Sequence, residues 1–313
     1  MIKYFDFEKP IEKIDEQLIE LEKDKNKNKK SIEQLKNQKE KLFNKIYASL
    51  SSWQKVQVAR QPERPHTLDY INNVFEDFVP LSGDKKFSED KSIVGGFAKI
   101  EDVSVMVIGT EKGNNMDSRI KHNFGMARPE GYRKVQRLYG LAEKFNLPII
   151  TLVDTAGAFP GKDAEERGQS ESIASLILYS LEVKSPIISI ILGEGGSGGA
   201  IALATADIVL MLENSIYSVI SPEGCASILW RTSDAVQEAA SSLKLTSNEC
   251  LKLGIVDEII PEKPGGAHRF KIEQYSKVKY TLLKKIKNLR NLSNKNLLQK
   301  RNEKFINITK NNL

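Results

Sequence analysis

Two apolar runs near the middle of the chain predict buried β-strands. They are Pro148–Asp154, with the sequence PIITLVD, and Ile187–Leu192, with the sequence IISIIL. β-Branched residues dominate both runs, and short runs of this kind favour strands. Three further runs predict a β-hairpin and another strand; they are Ile93–Ile100, Val103–Gly109 and Ile208–Leu212.

The N-terminal residues predict a helical hairpin with a narrow apolar stripe. Its first helix carries apolar side chains at spacings of three and four, and the charged stretch Glu22–Lys30 then interrupts the pattern. Ser31–Gln34 resembles a capping box and predicts the start of a second helix. A stripe this narrow suits packing on another chain or on the chain's own core. We therefore expect Ile11–Leu50 to help hold an assembly together. The stripe consists of Ile11, Ile14, Leu18, Leu21, Ile32, Leu35, Leu42 and Ile46.

The positive charge of the chain is concentrated at its C-terminus. The whole chain has a formal charge of +6, but from Lys271 onward there are 12 basic and 2 acidic residues. Apolar residues recur there at near-helical spacing, which predicts an amphipathic helix with a solvated basic face. We expect this tail to tune solubility. Nucleic-acid binding is not favoured, because it would need basic residues interleaved with aromatic residues on a defined module, whereas this segment offers mainly leucines and isoleucines at helical spacing. The apolar positions are Leu282, Ile286, Leu289, Leu297 and Leu298.

Composition bounds the class of protein. The 313 residues are 40% hydrophobic and 28% charged, which fits one large globular domain with appendages. No apolar run is long enough for a membrane span, and the first residues do not resemble a secretion signal, so we expect a cytoplasmic location. The only cysteines, Cys225 and Cys250, are typical of a reducing compartment. His66, His122 and His268 are scattered, and no metal site is predicted. We divide the chain into a hairpin, a core and a tail, at residues 1–52, 53–262 and 263–313.

Five glycines within seven residues follow the second central strand. Gly193–Gly199 has the sequence GEGGSGG, and the helix-compatible segment Ala200–Ala206 comes next. We expect a glycine loop here, between strand and helix. Backbone N–H groups in such a loop can bind an anion, because no Cβ blocks the approach and the helix dipole favours negative charge.

Three known motifs fit this segment and imply different functions. It satisfies G-x-G-x-x-G, with Glu213 lying 20 residues after Gly193 as in a dinucleotide-binding unit, but the next strand begins too soon for the usual crossover helix. It also satisfies G-x-S-x-G, which would make Ser197 a nucleophile with Asp257 and His268 as partners. The third interpretation is an oxyanion hole of backbone amides, with no side chain in the chemistry.

A second glycine turn favours the third interpretation. Thr155–Gly161, with the sequence TAGAFPG, follows the first central strand. It is not a P-loop, because Asp163 stands where Ser or Thr must bind magnesium. Two successive units of strand, glycine turn and helix predict a repeating spiral in which both turns face one cleft.

These stretches carry a family resemblance over nearly the whole chain. The sequence resembles the α subunits of the bacterial acetyl-CoA carboxylase carboxyltransferase. That resemblance implies an α/β fold of the crotonase/ClpP-like type, a spiral of repeated β-β-α units, with an N-terminal helical hairpin and a helical C-terminal tail. The matching stretches are FDFEKPI (5–11), RPHTLDYI (64–71), NFGMARPEGYRK (123–134), DTAGAFPG (154–161), AEERGQSESIA (164–174), GEGGSGGA (193–200), YSVISPEGCASILW (217–230) and PGGAHR (264–269).

The resemblance also implies an activity and partners. Members transfer the carboxyl group of carboxybiotin, held on the biotin carboxyl carrier protein, to acetyl-CoA, and they form malonyl-CoA for fatty acid synthesis. A separate β subunit, expected in an α2β2 assembly, supplies most of the acetyl-CoA site and a zinc ion, and a biotin carboxylase loads the carrier. No covalently bound cofactor is expected on this chain. A stand-alone crotonase-type acyl-CoA enzyme is the main alternative besides a serine hydrolase.

Candidate site residues follow from the glycine segments and the resemblance together. The amides of Gly198, Gly199 and Ala200 are expected to face the biotin oxygen as an oxyanion hole. Substrate binding is expected from the first turn and from the start of the second segment, at Gly157, Ala158, Gly195 and Gly196. One departure from the family pattern is Asn114–Asp117, which lacks the usual basic residues. This loop is therefore not predicted to bind CoA phosphates.

Overall fold

The computed structural model describes residues 3–23, 25–308 and 310. Within this part of the chain, one mixed sheet is flanked by helices. The strands are β1 (Glu76–Pro80), β2 (Ile93–Ile100), β3 (Val103–Thr110), β4 (Ile149–Thr155), β5 (Ile187–Gly196), β6 (Ile208–Leu212), β7 (Ile216–Ser218) and β8 (Glu258–Ile260). The α-helices are α1 (Lys9–Glu22), α2 (Lys25–Tyr47), α3 (Ser52–Ala59), α4 (Thr67–Val74), α5 (Met116–Lys121), α6 (Pro129–Lys144), α7 (Lys162–Glu166), α8 (Gln169–Glu182), α9 (Ser197–Ala204), α10 (Pro222–Leu229), α11 (Val236–Ser242), α12 (Ser247–Lys252), α13 (Lys271–Arg290) and α14 (Asn294–Asn307).

The sheet follows the order β1-β2-β3-β4-β5-β6-β8, and β7 pairs with β5. The first three strands are antiparallel, and all later pairings are parallel. β5 is long enough to pair with two strands in succession, along Ile188–Ile191 with β6 and along Glu194–Gly196 with β7. Two short strands therefore follow one edge of β5, as a spiral of β-β-α units requires.

Alternate residues of the central strands pack into two different apolar clusters. Ile149 and Val153 of β4 belong to the cluster that includes residues of α6, α8 and α9, whereas Ile150 and Leu152 belong to the cluster that includes residues of α4 and α13. Side chains on a strand alternate between the two faces of the sheet. A strand covered on both faces is apolar throughout, which explains the continuous run that predicted β4.

The predicted strands are confirmed to within one residue at each end, except at the end of β5. The β-hairpin turns at Glu101 and Asp102 as expected, and β6 has the predicted bounds. β5 continues beyond the predicted end at Leu192 to Gly196. Glycine has a low strand propensity, so the sequence pattern stops before the strand does.

The N-terminal helical hairpin is confirmed, but its second helix starts earlier than predicted. α2 begins at Lys25, so Ser31 lies inside the helix and does not cap its start. Lysine is a good helix former, and a run of charge does not by itself end a helix. The apolar stripe is buried within the chain, with Ile14, Leu18 and Ile32 in one cluster. This burial removes the reason to expect that the stripe holds an assembly together.

The C-terminal segment packs on the sheet as two helices. Leu282, Ile286 and Leu289 of α13 are buried in the apolar cluster that also includes Ile150 and Leu152 of β4, which confirms the apolar stripe. α14 is capped by Ser293, whose hydroxyl accepts a hydrogen bond from the amide of Asn296. It buries Arg301, which is only 1% exposed. The interpretation of this segment as a tail that mainly tunes solubility is therefore wrong for α14.

No described helix is long and apolar enough to span a membrane.

Candidate active site

β5 runs directly into α9, without an intervening loop. Gly193–Gly196 are the last residues of the strand, and the helix begins at Ser197. The expectation of a glycine loop is therefore wrong. Gly195 and Gly196 are buried and pair with β7, so only the helix end of the motif reaches the surface. Their role in substrate binding stays a prediction.

The first glycine turn is organised by Thr155. The Thr155 hydroxyl accepts a hydrogen bond from the amide of Gly157 at 3.1 Å and donates to the carbonyl of the same glycine at 2.8 Å. Gly157 has a φ of +148°, which favours glycine at this position. The amide of Gly157 already donates a hydrogen bond to Thr155, whereas the amide of the half-buried Ala158 donates to no described residue. Ala158 is therefore the better donor of the two predicted here.

The turn and the start of α9 are in direct contact, and only glycine allows this. A Cβ on Gly196 would lie 2.1 Å from the carbonyl oxygen of Ala156. A Cβ on Gly199 would lie 2.7 Å from the carbonyl carbon of Gly157 and 2.8 Å from the amide nitrogen of Ala158. We call this contact between residues 156–158 and 196–199 the glycine seam. Part of the glycine pattern therefore serves close packing of backbone on backbone.

The first turn of α9 offers amides at the edge of the glycine seam. Gly196 precedes the helix and has no side chain to cap it, and first-turn amides have no acceptor within their own helix. Ser197 is exposed, Gly198 is half-buried, and Gly199 and Ala200 are buried. The amide of Ala200 lies four residues after Gly196, the spacing of an intrahelical bond. Gly198 and Gly199 are thus stronger candidates for oxyanion donors than Ala200.

A charged cavity of about 220 Å³ lies next to Ala156, and the sequence analysis did not find it. On its wall, Lys112 Nζ is 2.9 Å from Asp154 Oδ1 and 3.0 Å from Glu194 Oε2. Asp154 and Glu194 belong to β4 and β5, so Lys112 ties the carboxyl ends of both strands together. The available signal was a charged residue near the end of each apolar run. The charged residues around the cavity are Arg60, His66, Lys112, Arg119, Asp154 and Glu194.

The charges in this cavity stabilise each other. Burial alone would raise the pKa of Asp154, but Lys112 and a 3.1 Å hydrogen bond with His66 outweigh it and hold that pKa well below its usual range. Burial also opposes ionisation of Glu194, but Lys112 and Arg60 lower its pKa. Asp154 further accepts a hydrogen bond of 2.9 Å from the amide of Glu194. The ionised network therefore fixes the strand ends that carry the glycine seam.

The structure does not assemble the predicted triad. Ser197 adopts a φ of +50° at a sharp turn from strand to helix, as a nucleophile would. However, Asp257 is bound to Lys304 and to the amide of Val209, and His268 contacts Arg269. Among the described residues, the Ser197 hydroxyl has no hydrogen-bond partner. The hydrolase interpretation therefore lacks a base. Nor do the described residues contain a group of three or more His, Cys, Asp or Glu side chains that could hold a metal ion.

His268 instead predicts a pH dependence of stability. Burial, together with the charges of Arg269 and Arg64, lowers the pKa of His268 to about 3. In the unfolded chain the imidazole of His268 takes up a proton at about pH 6.5, whereas in the folded chain it stays neutral down to about pH 3. The free energy of unfolding therefore decreases as the pH falls from about 6.5 toward 3. For this group alone we expect a loss of about 2 kcal/mol between pH 7 and pH 5. Urea unfolding at both pH values measures it.

His268→Gln should flatten this pH dependence, because glutamine does not titrate. The same substitution at His122, a buried histidine on another part of the chain, controls for the loss of an imidazole. Wild-type and His268→Gln proteins that lose equal stability between pH 7 and pH 5 would show that His268 is not held neutral.

The chain is similar over nearly its whole length to a family of known proteins. Residues 4–309 match the family model described as acetyl co-enzyme A carboxylase carboxyltransferase-like. The chain belongs to this family. The acetyl-coenzyme A carboxylase carboxyl transferase subunit alpha of Zymomonas mobilis is 51% identical over 311 residues, which cover 98% of this chain and 99% of that protein. The alignment thus extends over nearly all of both sequences.

Solved structures of carboxyltransferases show the same fold at low identity. Transcarboxylase 12S, with hydrolysed methylmalonyl-coenzyme A bound, matches with a TM-score of 0.55 and 20% identity over 71% of this chain and 44% of its own. The β subunit of Pseudomonas aeruginosa geranyl-CoA carboxylase matches with a TM-score of 0.52 and 16% identity over 73% of this chain and 45% of its own. The expected crotonase-like fold is thereby confirmed for this carboxyltransferase family member.

The segment just after Lys112 lies on the surface. Asn114–Asp117 is exposed and leads into α5, where the Asn115 side chain accepts a hydrogen bond of 2.9 Å from the amide of Ser118. Lys112, two residues earlier, points instead into the charged cavity. Lys112 and the stretch Asn114–Asp117 therefore lie in different surroundings.

Proposed function

We propose that this chain supplies one half of a carboxyltransferase site, which moves the carboxyl group of carboxybiotin on a biotin carboxyl carrier protein to acetyl-CoA. The observation that carries the proposal is the glycine seam, which joins the first turn of α9 to the turn at Gly157 and Ala158. The family of the chain supports the same reaction.

The reaction balances without a side-chain base. The N–CO2 bond of carboxybiotin breaks and leaves CO2 and a ureido anion. That anion takes a proton from the methyl group of acetyl-CoA, and the resulting enolate carbon attacks CO2 to form malonyl-CoA. Negative charge therefore passes from the biotin oxygen to the thioester oxygen. Preorganised amides at each oxygen lower the barrier, typically by about 3–4 kcal/mol for one well-placed donor.

The donors proposed for the biotin oxygen are the amides of Gly198 and Gly199, with Ala158 on the facing turn. They lie where strand ends are fixed by the ionised Lys112 network, so little reorganisation accompanies the reaction. This fits a site in which glycine, rather than histidine or aspartate, is the dominant residue.

A partner subunit would supply the second oxyanion hole. Several large apolar side chains that follow the glycine seam in the sequence are exposed: Ile201 on α9, Val219 just after β7, and Ile228 and Leu229 on α10. Exposed apolar surface beside a site is typical of an interface. We propose a carboxyltransferase β subunit as the partner, in an α2β2 assembly that works with the carrier and a biotin carboxylase. Zinc would belong to the partner.

Mixing experiments test the proposal. We expect the purified chain alone to show no malonyl-CoA-dependent carboxylation of free biotin, and to gain it when a β subunit is added, since one seam serves only one of two oxyanions. Product formation followed by mass spectrometry measures this, with the β subunit alone as the control.

Two results would count against it. Robust turnover of an acyl-CoA by the isolated chain would favour the stand-alone crotonase-type enzyme. A complex of both subunits that forms but transfers no carboxyl group would exclude the proposed reaction.

A further inference from the structure

One tyrosine hydroxyl reaches the glycine seam from outside both glycine segments. Tyr132 lies on α6, and its side chain is packed in the apolar cluster that includes Ile149 and Val153 of β4, with only 1% exposed. Its hydroxyl lies 3.0 Å from the position that a Cβ on Gly199 would occupy. That position is also within 2.8 Å of the Ala158 amide nitrogen. The hydroxyl is therefore at the point where the turn meets α9.

This hydroxyl has no evident structural partner. Among the described residues it neither donates nor accepts a hydrogen bond, and the Gly157 carbonyl beside it already accepts one from Thr155. It also differs from the hydroxyl of Tyr70, which is unpartnered and sealed from solvent. The Tyr132 hydroxyl is not among the sealed atoms, so the small exposed part of this side chain includes its polar end.

We propose that Tyr132 is a fourth hydrogen-bond donor of the site, beside the three backbone amides, and that its hydroxyl donates a hydrogen bond to the ligand oxygen held by the first-turn amides of α9. The inference rests on the proposed carboxyltransferase function. Tyrosine hydroxyls are among the side-chain groups that build oxyanion holes beside backbone amides. Because this hydroxyl has no partner within the described part of the fold and its polar end is not sealed from solvent, it is free to donate a hydrogen bond to an anionic ligand oxygen, and hydrogen bonds to charged acceptors are the stronger ones.

The protonation state of Tyr132 agrees with a donor. Burial, and to a lesser degree the charge of Asp90, raises its pKa well above the ordinary value of a phenol. The side chain therefore keeps its proton throughout the neutral pH range. It cannot serve as a base there, and it remains available to donate.

Tyr132→Phe in the complex with the β subunit tests this role, because it removes only the hydroxyl. We expect kcat for carboxyl transfer to fall about 10- to 100-fold, with KM for biotin and for malonyl-CoA changed by no more than about threefold, since the contact strengthens as charge develops. The melting temperature should stay within about 2 °C of wild type, since no hydrogen bond within the fold is lost. Tyr70→Phe, which removes a sealed hydroxyl away from the seam, should keep wild-type kcat.

The outcomes separate this inference from the proposed function. Absence of carboxyl transfer by the wild-type complex would contradict the proposed function itself. An active wild-type complex whose Tyr132→Phe variant keeps at least half of its kcat would overturn the donor role. A Tyr132→Phe variant that loses melting temperature in step with activity would also overturn it, and would make the hydroxyl a packing group.

Discussion

Gly199→Val should lower carboxyl transfer by the complex with the β subunit at least about 100-fold, because a misplaced oxyanion donor typically costs that much. Its Cβ would meet the backbone of Gly157 and Ala158 at 2.7–2.8 Å, and backbone atoms cannot move aside as a flexible side chain can. The turn and the first turn of α9 would be pushed apart, and the glycine seam would open. Steady-state kinetics of carboxyl transfer, with circular dichroism as the check on folding, measures the effect.

Ser197→Ala is the matched control for this change. It lies in the same first turn of α9 and removes a hydroxyl that has no partner among the described residues, so we expect activity within about tenfold of wild type. A Gly199→Val complex with near-normal turnover would contradict the role of the seam. Loss of turnover in Ser197→Ala, together with labelling of that residue by a serine-directed probe, would establish the nucleophile instead.

The central strands could be predicted from sequence because their physical signal is local. β4 and the first half of β5 are covered on both faces, so each appears as a continuous β-branched run. The end of β5 could not be predicted in this way. Its glycines are strand residues only because β4 and β7 pair with them, and that pairing joins segments far apart in the chain.

The candidate site was predictable in its glycines and not in its charges. The density of glycines in the segment Gly193–Gly199 was enough to identify Gly198 and Gly199 as candidates. The family resemblance then indicated their role. The partners of Asp154 and Glu194 are Arg60, His66 and Lys112, which lie between 42 and 134 residues away in sequence. No local pattern links residues at such distances, so the network that fixes the strand ends required the fold.

The C-terminal helices show how net charge misled the sequence analysis. A segment with 12 basic and 2 acidic residues indicates a solvated surface on average, yet one of the basic side chains is in the core. Arg301 forms a two-point ion pair with Asp207, at 2.7 and 2.8 Å. Its remaining N–H groups donate to the carbonyls of Ser180, Val183 and Ser185 at 2.7–3.0 Å. The side chain thus joins α14 to the end of α8 and to the segment before β6.

Arg301→Ala should therefore destabilise the fold by about 3–5 kcal/mol, because it removes the donor to three carbonyls and leaves the buried Asp207 carboxylate without its ion-pair partner, with only the amide of Ile187 as a donor among the described residues. Lys300→Ala changes the exposed neighbouring residue and should stay within about 0.5 kcal/mol of wild type. Urea denaturation of both variants gives the comparison. Deleting residues 295–313 should destabilise the chain at least as much as Arg301→Ala. If Arg301→Ala and Lys300→Ala unfolded at the same urea concentration, α14 would be the dispensable tail that its charge suggested.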